Sequence, residues 1–205
     1  MHLLTELYHN PPIAYFQQAF TADALVVEAH EHYQKQSYRN RYHILTSQGV
    51  QPLTVPVLKG NSKVLVTDLQ IDYSQGWVGN HWRTLQSAYG NAPFFEFYAD
   101  YLKAEYDKKP AHLFELNLAL FKLFSKFLKL NKPLTLTQTY VHAYEEPVLD
   151  WRGKLHPKKE PDILRLPPYR QVFGKQFASN LSILDLLFNL GPEASFYVQN
   201  PAAFC

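Results

Sequence analysis

The segment Tyr33-Gln34-Lys35-Gln36-Ser37-Tyr38-Arg39-Asn40-Arg41 sets three cations among amides and hydroxyls. Arg39 and Arg41 can fork onto a phosphate or carboxylate, and Lys35 can add a point charge. Gln34 and Asn40 supply further hydrogen bonds, so the chemistry is that of holding a small anion. The same run also reads as a solvated turn, because charged stretches usually face water. A second group, Asn80-His81-Trp82-Arg83, offers a general acid or base in His81 and a cation in Arg83. His9, between Tyr8 and Asn10-Pro11-Pro12, is the other candidate for proton transfer. A lone histidine equally well caps or packs. The third group surrounds Asp185, an acid in the apolar run Leu181-Ser182-Ile183-Leu184-Asp185-Leu186-Leu187-Phe188. If buried, that carboxylate needs a partner, and Lys35, Arg39 or Arg41 could supply it. It would then be a structural ion pair as readily as a site.

Other chemistries leave no trace. There is no glycine-rich phosphate loop and no G-x-S-x-G elbow. The histidines are scattered, with His30 and His32 two apart and no H-x-x-x-H pair, so no metal site is expected. Cys205, the lone cysteine, stands at the last position, which excludes an intrachain disulfide and a thiolate cluster. No cofactor can be named from these residues.

The elements that would position these groups read as an α/β layer structure. LLTELY at 3–8 reads as a strand, and Ile13 opens a helix to Phe20 that Asn10 could cap. ALVVE at 24–28 is a buried strand, so the chain starts β-α-β. The basic segment then follows the end of a buried strand, where ligands usually sit in α/β folds. Residues 42–47 and 51–57 flank Gln48-Gly49-Val50 and suggest a hairpin. Residues 64–71 and 134–140 read as further strands. Helices are expected over Trp77–Tyr89, Pro93–Asp107 and Ala111–Leu130, the last with Leu113, Leu116, Leu120, Leu123, Phe124 and Phe127 on one face. The proline-rich stretch 145–168 reads as a long loop. Ser182–Asn189, which Asn180 could cap, and Glu193–Gln199 complete a C-terminal helical layer. The expected fold is therefore a mixed β-sheet core with a β-α-β start, a hairpin and that layer, in one domain spanning 1–205.

Lysine plus arginine is 20 against 18 for aspartate plus glutamate, so nothing electrostatic favours nucleic acid or an acidic membrane as partner. The N-terminus lacks a basic region before an apolar run, and Leu113–Leu130 carries Glu115, Lys122, Lys126 and Lys129. A cytoplasmic protein without a membrane span is expected. Aromatic residues make up 15% of the chain. The phenylalanines fall in helical stripes and read as core. Tyr8, Tyr15, Tyr33, Tyr38 and Tyr89 lie in or beside the polar groups and read as cleft lining.

Several blocks taken together resemble the WbqC-like family: Pro11-Pro12-Ile13-Ala14-Tyr15-Phe16, residues 33–41, Leu53-Thr54-Val55-Pro56-Val57, His81-Trp82-Arg83 with Ala88-Tyr89, Pro93-Phe94-Phe95, and Asn180–Asn189 with Gly191-Pro192. The resemblance implies a bacterial cytoplasmic protein associated with surface-polysaccharide genes, and a transferase acting on an activated sugar. It assigns no catalytic residue. The Leu7–Pro12 segment departs from the family's usual opening. In layout alone, the opening also resembles HIGH-type nucleotidyltransferases, in which a histidine loop and a helix N-terminus cradle phosphates.

Two functional readings stay open. In one, Tyr8, His9, Gln34, Lys35, Arg39, Asn40, Arg41, His81 and Arg83 line one cleft of a transferase that takes a small anionic substrate such as a nucleotide sugar. In the other, the chain is a non-catalytic module that binds a sugar nucleotide or a partner. A purely structural role for the polar groups is the third possibility.

Overall fold

A computed structural model of the chain describes residues 1–60, 63–158, 166–174 and 176–204. Part of the proline-rich stretch (159–165) and Cys205 lie outside the described residues.

Four short strands form a parallel sheet: β1 (His2–Thr5), β2 (Ala24–Val27), β5 (Leu134–Leu136) and β6 (Val148–Asp150), in the order β5-β2-β1-β6. His2 lies opposite Ala24 on one side and Val148 on the other. The apolar centre of β1, Leu3-Leu4, is fully buried, as a parallel strand covered on both faces requires. β2 lies on one side of β1 and β6 on the other. The connections therefore diverge at β1, and the carboxyl edge there is a topological switch point.

The hairpin pairs β3 (Arg41–Thr46) with β4 (Gly49–Thr54) as a separate antiparallel sheet. Gly49 adopts a φ of 102° at the turn, a conformation open to glycine. Helix α1 (Ile13–Thr21) joins β1 to β2. The others are α2 (Trp77–Tyr89), α3 (Phe95–Asp107), α4 (Leu113–Phe127), α5 (Ile183–Leu190) and α6 (Glu193–Gln199). α1 packs on α5 and α6, and α3 packs on α4 and α5. The α4 stripe Leu113, Leu116, Leu120 and Phe124 is buried, and Phe121 stacks on Phe16 of α1. Each such side chain contributes roughly 1.5–3 kcal/mol of burial. The α/β class expected from sequence is the one observed.

Several local expectations change. Residues 64–71 form no strand. Val66–Asp68 is a 3₁₀ turn, and the segment's backbone is partnered piecemeal, by Glu31, Tyr33, Leu58, Ala111 and Leu113. The stretch 145–168 contains β6, so it completes the sheet. Asn10 does not cap α1. Its φ is 44° and its Nδ2 donates to Tyr106. The α1 amides are taken from afar: Ile13 N donates to Leu181 O, and Ala14 N to Asn180 Oδ1. That occupancy leaves no phosphate cradle at the start of α1. Asn180 thus serves α1, and Ser182 caps α5 by accepting from Leu184 N. Finally, Tyr8, Tyr15, Tyr33, Tyr38 and Tyr89 are buried at 5% exposure or less. Tyr33 and Tyr38 each reach the wall of a concavity, whereas Tyr8, Tyr15 and Tyr89 pack in the core, Tyr8 against Tyr15 and Tyr38, with their hydroxyls spent internally.

Candidate functional site

Each strand of the parallel sheet delivers a polar side chain at its carboxyl end. Glu6 follows β1, Glu28 follows β2, Thr137 follows β5, and Asp150 closes β6 with Arg152 two residues on. Glu28 is fully buried. One of its oxygens accepts from Thr137 Oγ1 at 2.7 Å and from the His30 amide at 2.9 Å. The other accepts from Arg152 Nη1 at 2.8 Å. Arg152 also forks onto Asp150, at 2.9 and 2.6 Å, and that bond holds the Asp150 carboxyl below its usual range. Glu6 accepts from the Gly153 amide at 2.7 Å, from Tyr8 at 3.0 Å and from Arg39 at 2.9 Å. The φ of 70° at Gly153 turns that amide inward.

Arg39 joins a second carboxylate to this network. Its Nε donates to Glu31 Oε1 at 2.7 Å, and its Nη2 bonds Glu31 Oε2. Burial opposes its charge, but the ion pairs with Glu31 and Glu6 keep it a cation. Glu31 itself is pushed above the ordinary carboxyl range. Burial is the main cause, Arg39 offsets part of it, and Glu6 and Glu28 add repulsion. The network therefore sets Glu6, Glu28, Glu31 and Asp150 against two guanidiniums, Arg39 and Arg152.

Beside it opens a concavity of about 510 Å³, lined by His30, Glu31, His32, Tyr33, Gln34, Tyr140 and His142. The network positions both walls. Glu28 fixes the His30 amide, and the backbone of residues 31 and 33 is tied to 64–66. On the other side Arg152 donates to the carbonyls of Val141 and His142, at 2.9 and 3.4 Å, and its guanidinium lies 4.8 Å from the Tyr140 ring centre. Glu31, at 6% exposure, is nearly dry; it lines this space, with both carboxylate oxygens bound to Arg39. Such a cleft can hold a hydroxyl-rich or amine-bearing ring against tyrosine, with a carboxylate for its polar groups and imidazoles around it. Among the described residues, no group of three His, Cys, Asp or Glu is arranged to hold a metal.

The ten residues singled out from the sequence do not line one cleft. Gln34 lines the concavity, exposed Lys35 follows it, and Tyr8 and Arg39 stand in the network behind. His9 and His81 do come together, but in a sealed aromatic cluster with Tyr42, Trp77 and Tyr106. Asn117 donates its Nδ2 to Arg39 O, so its Oδ1 accepts from His9 Nδ1, 3.0 Å away. His9 Nε2 then accepts from Tyr106 at 3.3 Å. In the same way, Thr54 O accepts from His81 Nε2 at 3.2 Å, leaving Nδ1 to accept from Tyr42 at 3.3 Å. Each ring is thus held as one neutral tautomer. Burial lowers His9 to about 3, with the nearby His81 adding to the effect, and lowers His81 to about 4.

Asn40 is buried and donates to Val55 O at 2.9 Å. Half-buried Arg41 donates to Thr54 Oγ1, and exposed Arg83 to Asn80 Oδ1 in a different concavity. Asp185 is fully buried and accepts from Tyr89 at 2.8 Å, Gln171 at 3.0 Å and Tyr169. Its partners are neutral donors rather than Lys35, Arg39 or Arg41. Burial raises its carboxyl despite those three bonds.

Sequence reasoning passed over Glu6, Glu28, Glu31, Tyr140, His142, Asp150 and Arg152. The available signal was positional. The switch-point rule, applied to the residues after every strand and not β2 alone, reaches Glu6 and Glu28 directly. Asp150 and Arg152 required β6, which the proline content of its surroundings concealed.

No solved structure matches the chain. The uncharacterized protein Rv1507c of Mycobacterium tuberculosis is 29% identical to it, over 90% of this chain and 91% of that protein. The WbqC-like protein family model matches residues 8–156 and 162–197. That match takes in both walls of the cleft and three of the four strands beneath them. The chain belongs to the WbqC-like protein family.

Proposed function

We propose that the chain is a transferase acting on an activated sugar, of the kind used to build surface polysaccharides, with the sugar seated at the carboxyl edge of the sheet. One observation supports the reading above the others: buried Glu31 lines a ligand-sized concavity beyond the carboxyl ends of β2 and β5, between walls fixed by side chains at the carboxyl ends of all four strands. Tyr140 provides a ring face for the sugar, and the three histidines and Gln34 provide hydrogen bonds. Lys35 and the histidines, at the exposed side, meet the phosphates of the donor.

In this reading Glu31 is the general base. Its raised pKa gives it proton affinity that an exposed glutamate lacks. An acceptor hydroxyl bound to Glu31 attacks the anomeric carbon. The new carbon–oxygen bond forms as the bond to the phosphate oxygen breaks. The electron pair leaves on the phosphate, and the proton passes to Glu31. Arg39 keeps the carboxyl oriented throughout.

The test is a melting-temperature screen of purified protein against sugars, amino sugars and nucleotide sugars, followed by assay of nucleotide release with the ligand that stabilises most. Stabilisation by a nucleotide sugar and release of its nucleotide are expected, both lost in Tyr140→Ala, which alters a side chain 44% exposed. Binding without release would make the chain a sugar-binding module. No stabilisation by any sugar ligand would remove the proposal altogether.

A further inference from the structure

The amino edge of the same sheet carries a second concavity, of about 450 Å³, that the sugar reading leaves unused. Lys122, Lys126, Lys129 and Lys132 line it, together with Asn131, over a floor of Leu25, Phe121, Leu130 and Leu134. No carboxylate is among its lining residues, and among the described residues none of the four ammoniums is ion-paired. The Lys132 charge reaches Asp23, but that exposed carboxylate is already bound by the Met1 ammonium.

Helix termination does not account for this arrangement. Cations in a last turn favour the helix dipole, and Lys126 serves that end. Lys122 stands before the last turn of α4, and Lys132 lies beyond the helix. Lys122 and Lys126 are a like-charged i,i+4 pair within α4, which destabilises a helix. The end of α4 is already closed by backbone bonds, from Lys129 N to Lys126 O and from Leu130 N to Ser125 O. A φ of 59° at Lys129, where glycine is the usual residue, keeps a fourth cation at the rim. In addition Ser125 Oγ, on the pocket wall, is buried without a hydrogen-bond partner. Unneutralised positive charge over a concave apolar floor describes a site for a compact polyanion.

We infer that this concavity binds a small phosphate-rich molecule at a site separate from the sugar cleft, with the lysines on the phosphates and Phe121 and the leucines under the rest. Leu25 and Leu134 lie at the amino ends of β2 and β5, whereas Glu28 and Thr137 follow their carboxyl ends. The two sites lie at opposite edges of the sheet, so this molecule acts as an effector and not as a reactant in the sugar cleft.

Calorimetric titration at low salt tests it, with inorganic tripolyphosphate as the probe. Binding is expected that weakens steeply with added salt. It should be at least tenfold weaker in Lys122→Gln/Lys126→Gln, and unchanged in Lys103→Gln/Lys108→Gln, whose exposed lysines are already paired with Asp107 and Glu105. If the first variant proves unstable, Lys132→Gln alone should still weaken binding. Absence of tripolyphosphate binding, or equal loss in both double variants, would overturn the inference. So would binding only to phosphatidylglycerol vesicles, which would make the patch a membrane contact.

Discussion

Acid should destabilise this protein well before its ordinary carboxylates are protonated. His9 and His81 are each locked as a neutral tautomer, with the second nitrogen accepting from a tyrosine. Protonating either ring sets an N–H against a hydroxyl that is already donating. Their folded values, about 3 and about 4, lie below the unfolded histidine value near 6.5. A depressed folded pKa contributes stability that is present above the unfolded pKa and is lost as pH falls toward the folded one. At pH 5 the unfolded chain has taken up nearly one proton per ring, and the folded chain almost none. The loss is about 2 kcal/mol for each ring, or about 4 kcal/mol for the pair, between pH 7 and 5. Half-buried His43, also lowered, acts in the same direction. Glu31 and Asp185 act in the opposite one, because their raised pKa means that ionisation costs the folded state less as pH falls. Asp150 stays ionised across this window. Urea denaturation at pH 7, 6, 5.5 and 5 should give a slope approaching about 2.7 kcal/mol per pH unit near pH 5, equivalent to two protons. His81→Gln, which keeps an amide donor for Thr54 O, should remove about one of them. A slope of one proton or less in the parent chain, or imidazole signals titrating near pH 6.5 for both residues, would refute the sealed-tautomer account.

Two further predictions concern the frame of the site. Arg39→Ala leaves Glu6 and Glu31 buried without their cation, so it should cost about 3–5 kcal/mol in chemical denaturation. A change under 1 kcal/mol would mean that the network is solvated. Gly191→Ala, at a φ of 55° with Phe94 ring atoms 2.5 Å from the new Cβ, should cost roughly 2–3 kcal/mol by thermal unfolding. A near-neutral result would place the helix α5 terminus elsewhere.

Elements fixed by local chemistry were legible in the sequence. The β-α-β start, the hairpin at Gly49 and the α4 stripe all follow from periodicity and turn residues. Residues 64–71 alternate like a strand, but no continuous partner runs beside them, and pairing is not a local property. β6 is three residues long and preceded by proline, so its strand signal is weak. Polar residues were legible as polar but not as exposed or buried. Arg39 looks like an anion hook until Glu6, far off in sequence, and Glu31 are seen on either side of it. His9 looks like a proton shuttle until Asn117 and Tyr106 enclose it. The enclosure of His9 depends on residues 108 and 97 positions away. The strand-end glutamates were the readable clue, and their significance comes from the sheet order.

The central claim is that the cleft beside Glu31 is where a sugar ligand sits. A crystal structure of the protein with the nucleotide sugar that most raises its melting temperature tests this directly. The sugar should lie against the Tyr140 ring, with a hydroxyl or amine within hydrogen-bonding distance of Glu31. A sugar held at the lysine-lined amino edge, or at the Arg83 concavity with the Glu31 cleft empty, would contradict it.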